Sequence, residues 1–197
     1  RFPDATGIGN HAVEIDCNTN PGYLQSLSIR RMNIGASTRE PGGNGIHLTK
    51  EAGGANNLFC TTIEDNVIAG GINLIGVGDS VWIERNTMPG TKLAIYLEPI
   101  AGAFEQTIRK NNITSSGGAI FVKATTTGTT WVGQLTIEMN QLEQLDVWTG
   151  ISNRRALIML EGCRDARVYS NNMHPHLVSS NGSDCIYLLN STINTDI

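Results

Sequence analysis

The sequence lacks the features that mark several classes of protein. Charged residues make up only 16% of the 197 residues and the net charge is -4. That balance argues against a nucleic-acid partner, which requires a basic face. No apolar run approaches the roughly 18 residues of a membrane span, so we expect no membrane insertion. No stretch of about ten residues has a helical period. These absences leave a protein built from strands and turns.

The cysteines also lack the spacing of a metal site or of a disulfide-rich domain. There is no C-x-x-C pair among Cys17, Cys60, Cys163 and Cys185. Four cysteines could pair in three ways, but the spacing favours free thiols over a disulfide framework. We expect Cys60 and Cys185, which lie beside predicted strands, to pack as small apolar groups. The sequence predicts no metal and no cofactor.

The most prominent feature of the chain is a pair of interleaved repeats. A long motif, apolar-x-x-Asn-x-apolar, recurs at 63–68, 83–88, 108–113, 137–142 and 168–173, and 29–34 matches it with Met32 in place of Asn. A short motif, apolar-x-apolar, alternates strictly with it at 13–15, 46–48, 72–74, 95–97, 120–122, 158–160 and 186–188. Alternation with a period of two predicts that each copy is a strand with one buried face.

The strict alternation of two motif types predicts more than a generic all-β fold. A sandwich or an up-and-down barrel would also be all-β, but neither predicts that each motif stacks on its own kind. We therefore expect a right-handed parallel β-helix, a solenoid of about seven coils. The repeated asparagines would form an inward amide ladder of Asn66, Asn86, Asn111, Asn140 and Asn171. Residues 1–197 should form a single domain. Because the chain starts Arg1-Phe2-Pro3 with no initiator Met, we expect it to be a fragment of a longer one.

These motifs resemble those of the right-handed parallel β-helix superfamily, in particular pectate-lyase-like enzymes and the polysaccharide-binding spikes of bacteriophage tails. The resemblance extends from about Val13 to Leu188. The calcium-binding aspartates of pectate lyases and the paired aspartates of polygalacturonases are absent, which disfavours a pectinase. The resemblance implies a surface that binds an extended polysaccharide.

Two pairs of glutamates are candidates for general acid–base catalysis. Glu98 and Glu161 each follow a short strand, two coils apart, with Lys123 between them. Two coils correspond to roughly 9.6 Å, near the upper end of the carboxylate spacing of inverting glycosidases. Glu64 and Glu84 lie on successive long strands, about 5 Å apart, as in a retaining pair. For both pairs, a charge ladder between stacked strands is the simpler interpretation.

Aromatic and polar residues on outward positions are candidates for sugar binding. The middle residues of the last four short strands, which include Tyr96 and Tyr187, predict an exposed apolar stripe with Phe121 and Met159. Such a stripe suits a subunit interface, a sugar platform or a face covered by a loop. Trp82 points outward on a long strand and offers a stacking surface for a pyranose. The link 143–156 adds Trp148 and Arg154 as further substrate-binding candidates.

The leading functional hypothesis is a tail-spike type domain that recognises a bacterial surface glycan as a homotrimer, on a virion surface or in the extracellular space. Two alternatives stay open. One is a free-standing bacterial glycoside hydrolase or polysaccharide lyase. The other is a non-catalytic adhesive β-helix.

Overall fold

The computed structural model describes residues 12–16, 26–35, 45–49, 59–99, 103–124, 132–144, 156–175, 184–189 and 196–197. These residues form strands, turns and bends, and none of them is helical. Nearly all strand pairs join residues that are far apart in sequence, and all of the pairs are parallel. The described part of the chain is therefore all-β, with parallel strands stacked in sheets.

Nineteen strands make up the described structure. The first ten are β1 Val13–Asp16, β2 Leu27–Arg30, β3 Asn33–Ile34, β4 Ile46–Thr49, β5 Thr61–Glu64, β6 Val67–Ile68, β7 Ile72–Ile75, β8 Val81–Glu84, β9 Thr87–Glu98 and β10 Gln106–Arg109. The others are β11 Asn112–Lys123, β12 Val132–Gly133, β13 Leu135–Glu138, β14 Gln141–Gln144, β15 Ala156–Glu161, β16 Cys163–Arg164, β17 Arg167–Tyr169, β18 Asn172–His174 and β19 Asp184–Leu189.

The strands form one large, one medium and one very small sheet. Six strands in the order β17-β13-β10-β8-β5-β2 make one sheet, which is built from the first halves of the long motifs. Eleven strands make the large sheet, whose path runs β1-β4-β7-β9-β11-β14-β18, with β15 and β19 continuing from β11. The pair β12-β16 makes the third sheet. The chain alternates between the two larger sheets, and each new strand pairs with a strand of the previous pass. One such pass is called a rung below.

The strand registers match those predicted from the two motifs. In the long motifs the first apolar residues pair in one row: Ile29, Ile63, Ile83, Ile108, Ile137 and Val168. In the short motifs the corresponding row is Val13, Ile46, Ile72, Ile95, Ile120, Ile158 and Ile186. Each motif therefore stacks on its own kind, as the alternation required.

The core is filled by these rows of aliphatic side chains. Ile63, Ile83 and Ile108 are fully buried in the six-stranded sheet, as are Leu74 and Leu97 in the large one. They belong to a single apolar cluster that contains most of the buried residues. Burial of each such side chain stabilises the fold by about 1.5–3 kcal/mol relative to exposure. Burial of these stacked aliphatic rows therefore provides the hydrophobic stabilisation of the described strands.

Left-handed turns bracket the strands of the six-stranded sheet. One or two residues before five of these strands, the chain has a φ between 50° and 61°, at Cys60, Ser80, Glu105, Gln134 and Asp165. The residue after each of the six strands is also left-handed: Arg31, Asp65, Arg85, Lys110, Met139 and Ser170. Non-glycine residues adopt this conformation only when the surroundings impose it. Here the rung-to-rung hydrogen bonds impose it, for example Lys110 N–H to the Glu138 carbonyl at 3.1 Å.

The repeated asparagines follow the second set of turns and bond to one another across the rungs. The Nδ2 group of Asn66 donates to Oδ1 of Asn86 at 2.9 Å, and Asn86 donates in the same way to Asn111 at 3.1 Å. Asn111 donates to Asn140 and Asn140 to Asn171, at 3.0 and 2.9 Å. Each Oδ1 also accepts the backbone N–H of the preceding asparagine. These side chains replace strand pairing where the chain turns, so the turn amides stay satisfied.

The structure bears on two expectations about exposure. The expected packing of Cys60 and Cys185 is wrong, and the apolar stripe is covered at its centre, which was one of the alternatives left open for it. The stripe predicted to face outward is buried at Phe121 and Met159, which are 4% and 1% exposed and pack with Tyr96 and Tyr187 in a second apolar cluster. Single-strand alternation could not reveal this, because the cover comes from other rungs. Cys60 and Cys185 are exposed free thiols, not packed apolar groups, whereas Cys163 is buried.

Candidate functional site

A cleft of about 840 Å³ lies on the outer face of the six-stranded sheet. Its floor is a row of outward side chains on four adjacent strands, namely Trp82, Thr107, Thr136 and Arg167. The register places these residues directly side by side. Three strand spacings make the row roughly 14 Å long. The cleft is thus long enough for an extended chain of small units rather than for one compact ligand.

Strand alternation explains why this row faces solvent. In each strand the residues on either side of the row point inward, as Val81 and Ile83 do around Trp82, and both are fully buried. Trp82 is 36% exposed, so its ring borders the cleft while part of it packs against the protein. A half-exposed indole offers a large apolar face with little loss of side-chain entropy on binding. The structure therefore leaves Trp82 accessible to a ligand.

One edge of the cleft is built from the left-handed turns that precede the strands. Glu105, Gln134 and Asp165 line this edge on successive rungs, and Asp196 completes the lining next to Arg167. Ser80 Oγ donates a hydrogen bond to Glu105 at 2.8 Å, and Arg164 lies 3.7 Å from the Asp165 carboxylate. The cleft therefore combines an aromatic surface, hydroxyl groups, an amide and charged groups, the mixture that a sugar polymer requires.

Glu64 and Glu84, the candidate catalytic pair on the long strands, both belong to a chain of ion pairs. Arg30 lies 2.7 Å from Glu64, and Arg85 bridges Glu64 and Glu84. Arg109 continues the chain from Glu84 towards Glu138, which also accepts the Tyr169 hydroxyl. Arginine groups therefore already contact both oxygens of Glu84 and both oxygens of Glu64.

The environment of Glu84 opposes a role as a general acid. The Glu84 side chain is 9% exposed, and burial by itself raises the pKa of a carboxyl group. Hydrogen bonds from Arg109 and Arg85 outweigh that effect and lower the pKa of Glu84 below its ordinary value. A general acid needs a raised pKa so that it carries a proton near neutrality. The arrangement favours the charge ladder over catalysis at this pair.

Glu98 and Glu161, the other candidate pair, lie on the large sheet beside Tyr96. The Tyr96 hydroxyl donates a hydrogen bond to Glu98. Burial, that hydrogen bond and the charges of Glu98 and Glu161 all raise the pKa of Tyr96. Lys123 lies between the two glutamates in the strand register, but it forms no ion pair with any residue that the structure describes. Glu98 is therefore bonded to the Tyr96 hydroxyl, and the described residues contain no Glu-Lys-Glu ladder of ion pairs.

The predicted binding residues are divided between two sheets. Tyr96 and Tyr187 lie on the large sheet near Glu98 and Glu161, while Trp82 lies on the six-stranded sheet with the cleft. Trp148 and Arg154 fall outside the described residues. The sequence reading missed Glu105, Asp165 and the other residues that line the cleft with Trp82. A signal was present, since the residue before the first apolar residue of each long motif is outward in every copy.

Comparison with family models, with curated proteins and with solved structures finds no match to this chain. Among the described residues there is no helix long and apolar enough to cross a membrane. The same residues hold no group of three or more His, Cys, Asp or Glu side chains arranged to bind a metal ion. Function therefore has to be inferred from the two surfaces described above, the cleft beside Trp82 and the group of Tyr96, Glu98 and Glu161.

Proposed function

We propose that this chain is a right-handed parallel β-helix with an asparagine ladder that binds a polysaccharide along the cleft beside Trp82. In this proposal it belongs to a tail-spike type protein that recognises a bacterial surface glycan, at a virion surface or in the extracellular space. Support for the β-helix comes from parallel rungs with two alternating registers and from the asparagine hydrogen bonds between rungs. A solenoid of this kind presents an outer face whose groups repeat every few ångströms, which suits an extended polymer.

The observation that carries the glycan proposal is the half-exposed Trp82 at the end of a row of polar side chains. Apolar faces of sugar rings stack on indole, while hydroxyl and amide groups such as those of Thr107, Thr136 and Gln134 bond to sugar hydroxyls. The row has the length and regular spacing of a strand stack, not the enclosed shape of a small-molecule pocket. An extended neutral or polar polymer is the ligand class that fits these features.

The test is glycan binding by the chain and by single variants, first on an array of bacterial surface polysaccharides and then by calorimetry. Trp82→Ala should weaken binding about tenfold, which corresponds to about 1.4 kcal/mol, and Trp82→Phe should restore part of it. Tyr187→Ala is the matched aromatic control on the other sheet and should bind normally. Binding that survives Trp82→Ala and is lost in Tyr187→Ala would place the site on the large sheet and refute the proposal.

The proposed tail-spike type protein would be a homotrimer. Its absolute mass in solution, measured by light scattering on a sizing column, tests this. A homotrimer should give about three times the 21.2 kDa mass of one chain. A monomer would favour the lone carbohydrate-active enzyme over the spike.

A second candidate function is cleavage of a polysaccharide at the large sheet, away from the cleft, favoured by the Tyr96–Glu98 hydrogen bond beside Glu161. The two carboxylates lie two strands apart, roughly 9.6 Å at the backbone, close to the spacing of an inverting pair. With a glycan that the chain depolymerises, Glu98→Gln combined with Glu161→Gln should abolish turnover and leave binding intact. Glu64→Gln with Glu84→Gln is the comparison pair. Turnover that survives the first double variant would exclude these glutamates, and binding without any turnover would favour the adhesive alternative.

A further inference from the structure

The charges around the cleft bear on which polysaccharides it accepts. Among the described residues, three carboxylates line it, from Glu105, Asp165 and Asp196, against one guanidinium, from Arg167. Arg164 reaches Asp165 from outside the lining at 3.7 Å, and even with it the carboxylates outnumber the cations three to two. Three of the four charged lining side chains are therefore acidic.

Because these carboxylates are exposed and spread along the cleft, their negative electrostatic field acts on a bound ligand. Glu105, Asp165 and Asp196 are all exposed, so each faces the solvent that a glycan would displace. Glu105 and Asp165 stand two rungs apart along the turn edge, and Asp196 lies on the next rung beyond Arg167. The acidic groups are thus spread over three strand spacings, roughly 14 Å, instead of being gathered at one point. A polymer lying on Trp82 and Thr107 would pass them on successive units.

Resting on the function proposed above, we infer that the cleft is selective for polysaccharides without acidic groups. Uronic acids, sialic acids and phosphate or sulfate esters would bring anions against this edge. Two like charges about 4 Å apart repel by about 1 kcal/mol even at the dielectric constant of water, and by more beside a protein surface. Neutral and amine-bearing sugars meet no such repulsion. The Trp82 ring and the threonine hydroxyls supply attraction that does not depend on ligand charge.

The sign of the field can be measured without any glycan. Trp82 fluorescence is obtained as the difference between the chain and Trp82→Phe, and is quenched by caesium, iodide and acrylamide at low ionic strength. After scaling to acrylamide, caesium should quench Trp82 about twofold or more better than iodide. The variant Glu105→Gln/Asp165→Asn/Asp196→Asn should lose that preference. Equal quenching, or stronger quenching by iodide, would overturn the inference.

A charge-matched control separates a local field from the net charge of the protein. Glu14, Glu143 and Asp184 are also exposed but lie on the large sheet. The triple variant Glu14→Gln/Glu143→Gln/Asp184→Asn should therefore retain the caesium preference. If it loses the preference as fully as the cleft variant does, the effect comes from overall charge and the local inference is wrong.

Glycan binding supplies the second readout. Trp82→Ala should weaken the binding of neutral and amine-bearing glycans about tenfold. Acidic glycans should bind at least about tenfold more weakly than neutral ones, and the cleft variant should close that gap. An acidic glycan bound equally well through Trp82 would refute the selectivity and leave the proposed function standing. No binding of any glycan would overturn both, while the quenching result would still report the sign of the field.

Discussion

Replacement of Asn111 tests whether the asparagine hydrogen bonds hold the rungs together. Its side chain is 1% exposed and makes four hydrogen bonds. Asn111→Ala would leave the Asn86 backbone N–H and the Ile83 carbonyl without these partners in a site closed to water. Each orphaned buried group costs about 1–3 kcal/mol. We expect the variant to lose about 3–5 kcal/mol of unfolding free energy, once the small cavity is included.

The matching measurement is equilibrium urea unfolding followed by circular dichroism, with Asn112→Ala as control. Asn112 is the next residue and is exposed, so its replacement should change the unfolding free energy by no more than about 0.5 kcal/mol. If Asn111→Ala unfolds within about 1 kcal/mol of the unchanged chain, well below the orphan cost estimated above, the hydrogen bonds between rungs are not what stabilises the turn.

Asn111→Asp adds a test with a defined sign. The carboxylate keeps the acceptor role towards Asn86 but loses both donors, and its charge is buried. Burial raises the folded-state pKa of the new acid above its unfolded value of about 3.9. The contribution of this group is therefore most favourable below that value and is lost as the pH rises through the folded pKa. The stability deficit against the unchanged chain should shrink from pH 7 to pH 4, and a deficit that grows on acidification would contradict the reasoning.

Three further predictions concern single groups. The pKa of Glu84 is lowered by its arginine partners despite burial. The stabilisation from this carboxylate is therefore present above its ordinary pKa and is lost as the pH falls through the lowered pKa. In urea titrations, Glu84→Gln should be less stable than the unchanged chain at pH 7 and should lose less stability on acidification. Lys110 has a φ of 54°, so the unfolding free energy of Lys110→Val, measured in urea, should be about 1–3 kcal/mol lower than that of Lys110→Asn. Equal stability would argue against an imposed left-handed turn. Burial raises the pKa of the Cys163 thiol to about 12, so iodoacetamide should label Cys60 and Cys185 in the native chain and reach Cys163 only after unfolding; rapid native labelling of Cys163 would refute its burial.

Much of the strand arrangement could be predicted from the sequence because the signal is local and repeated. Ile63, Ile83 and Ile108 recur in identical surroundings, so a register that buries one of them buries them all. A slip by one residue would turn every such row outward, which makes the predicted register strongly preferred. The same logic predicted that Trp82 faces outward.

The state of each candidate functional residue was decided by the tertiary structure. Phe121 and Met159 occupy outward positions on their strands, yet neighbouring rungs bury them. For Glu84 and Glu98 the sequence left open a catalytic pair or a charge ladder. In the structure, Glu84 is held by two arginines and Glu98 accepts a tyrosine hydroxyl. Arg109 lies 25 residues from Glu84 along the chain, and so distant a partner carries no local signal.

The amino-acid sequence by itself determined that the chain is made of strands and which motif residues pair in register, because a period of two and a repeated motif are readable within a few residues. Only the tertiary structure decided that turn residues such as Glu105 and Asp165 come to line one cleft with Trp82 and Asp196. These residues lie on different rungs, and their proximity exists only once the rungs are stacked. Surface chemistry depends on such distant neighbours, whereas burial of an aliphatic strand face depends mainly on the strand's own pattern.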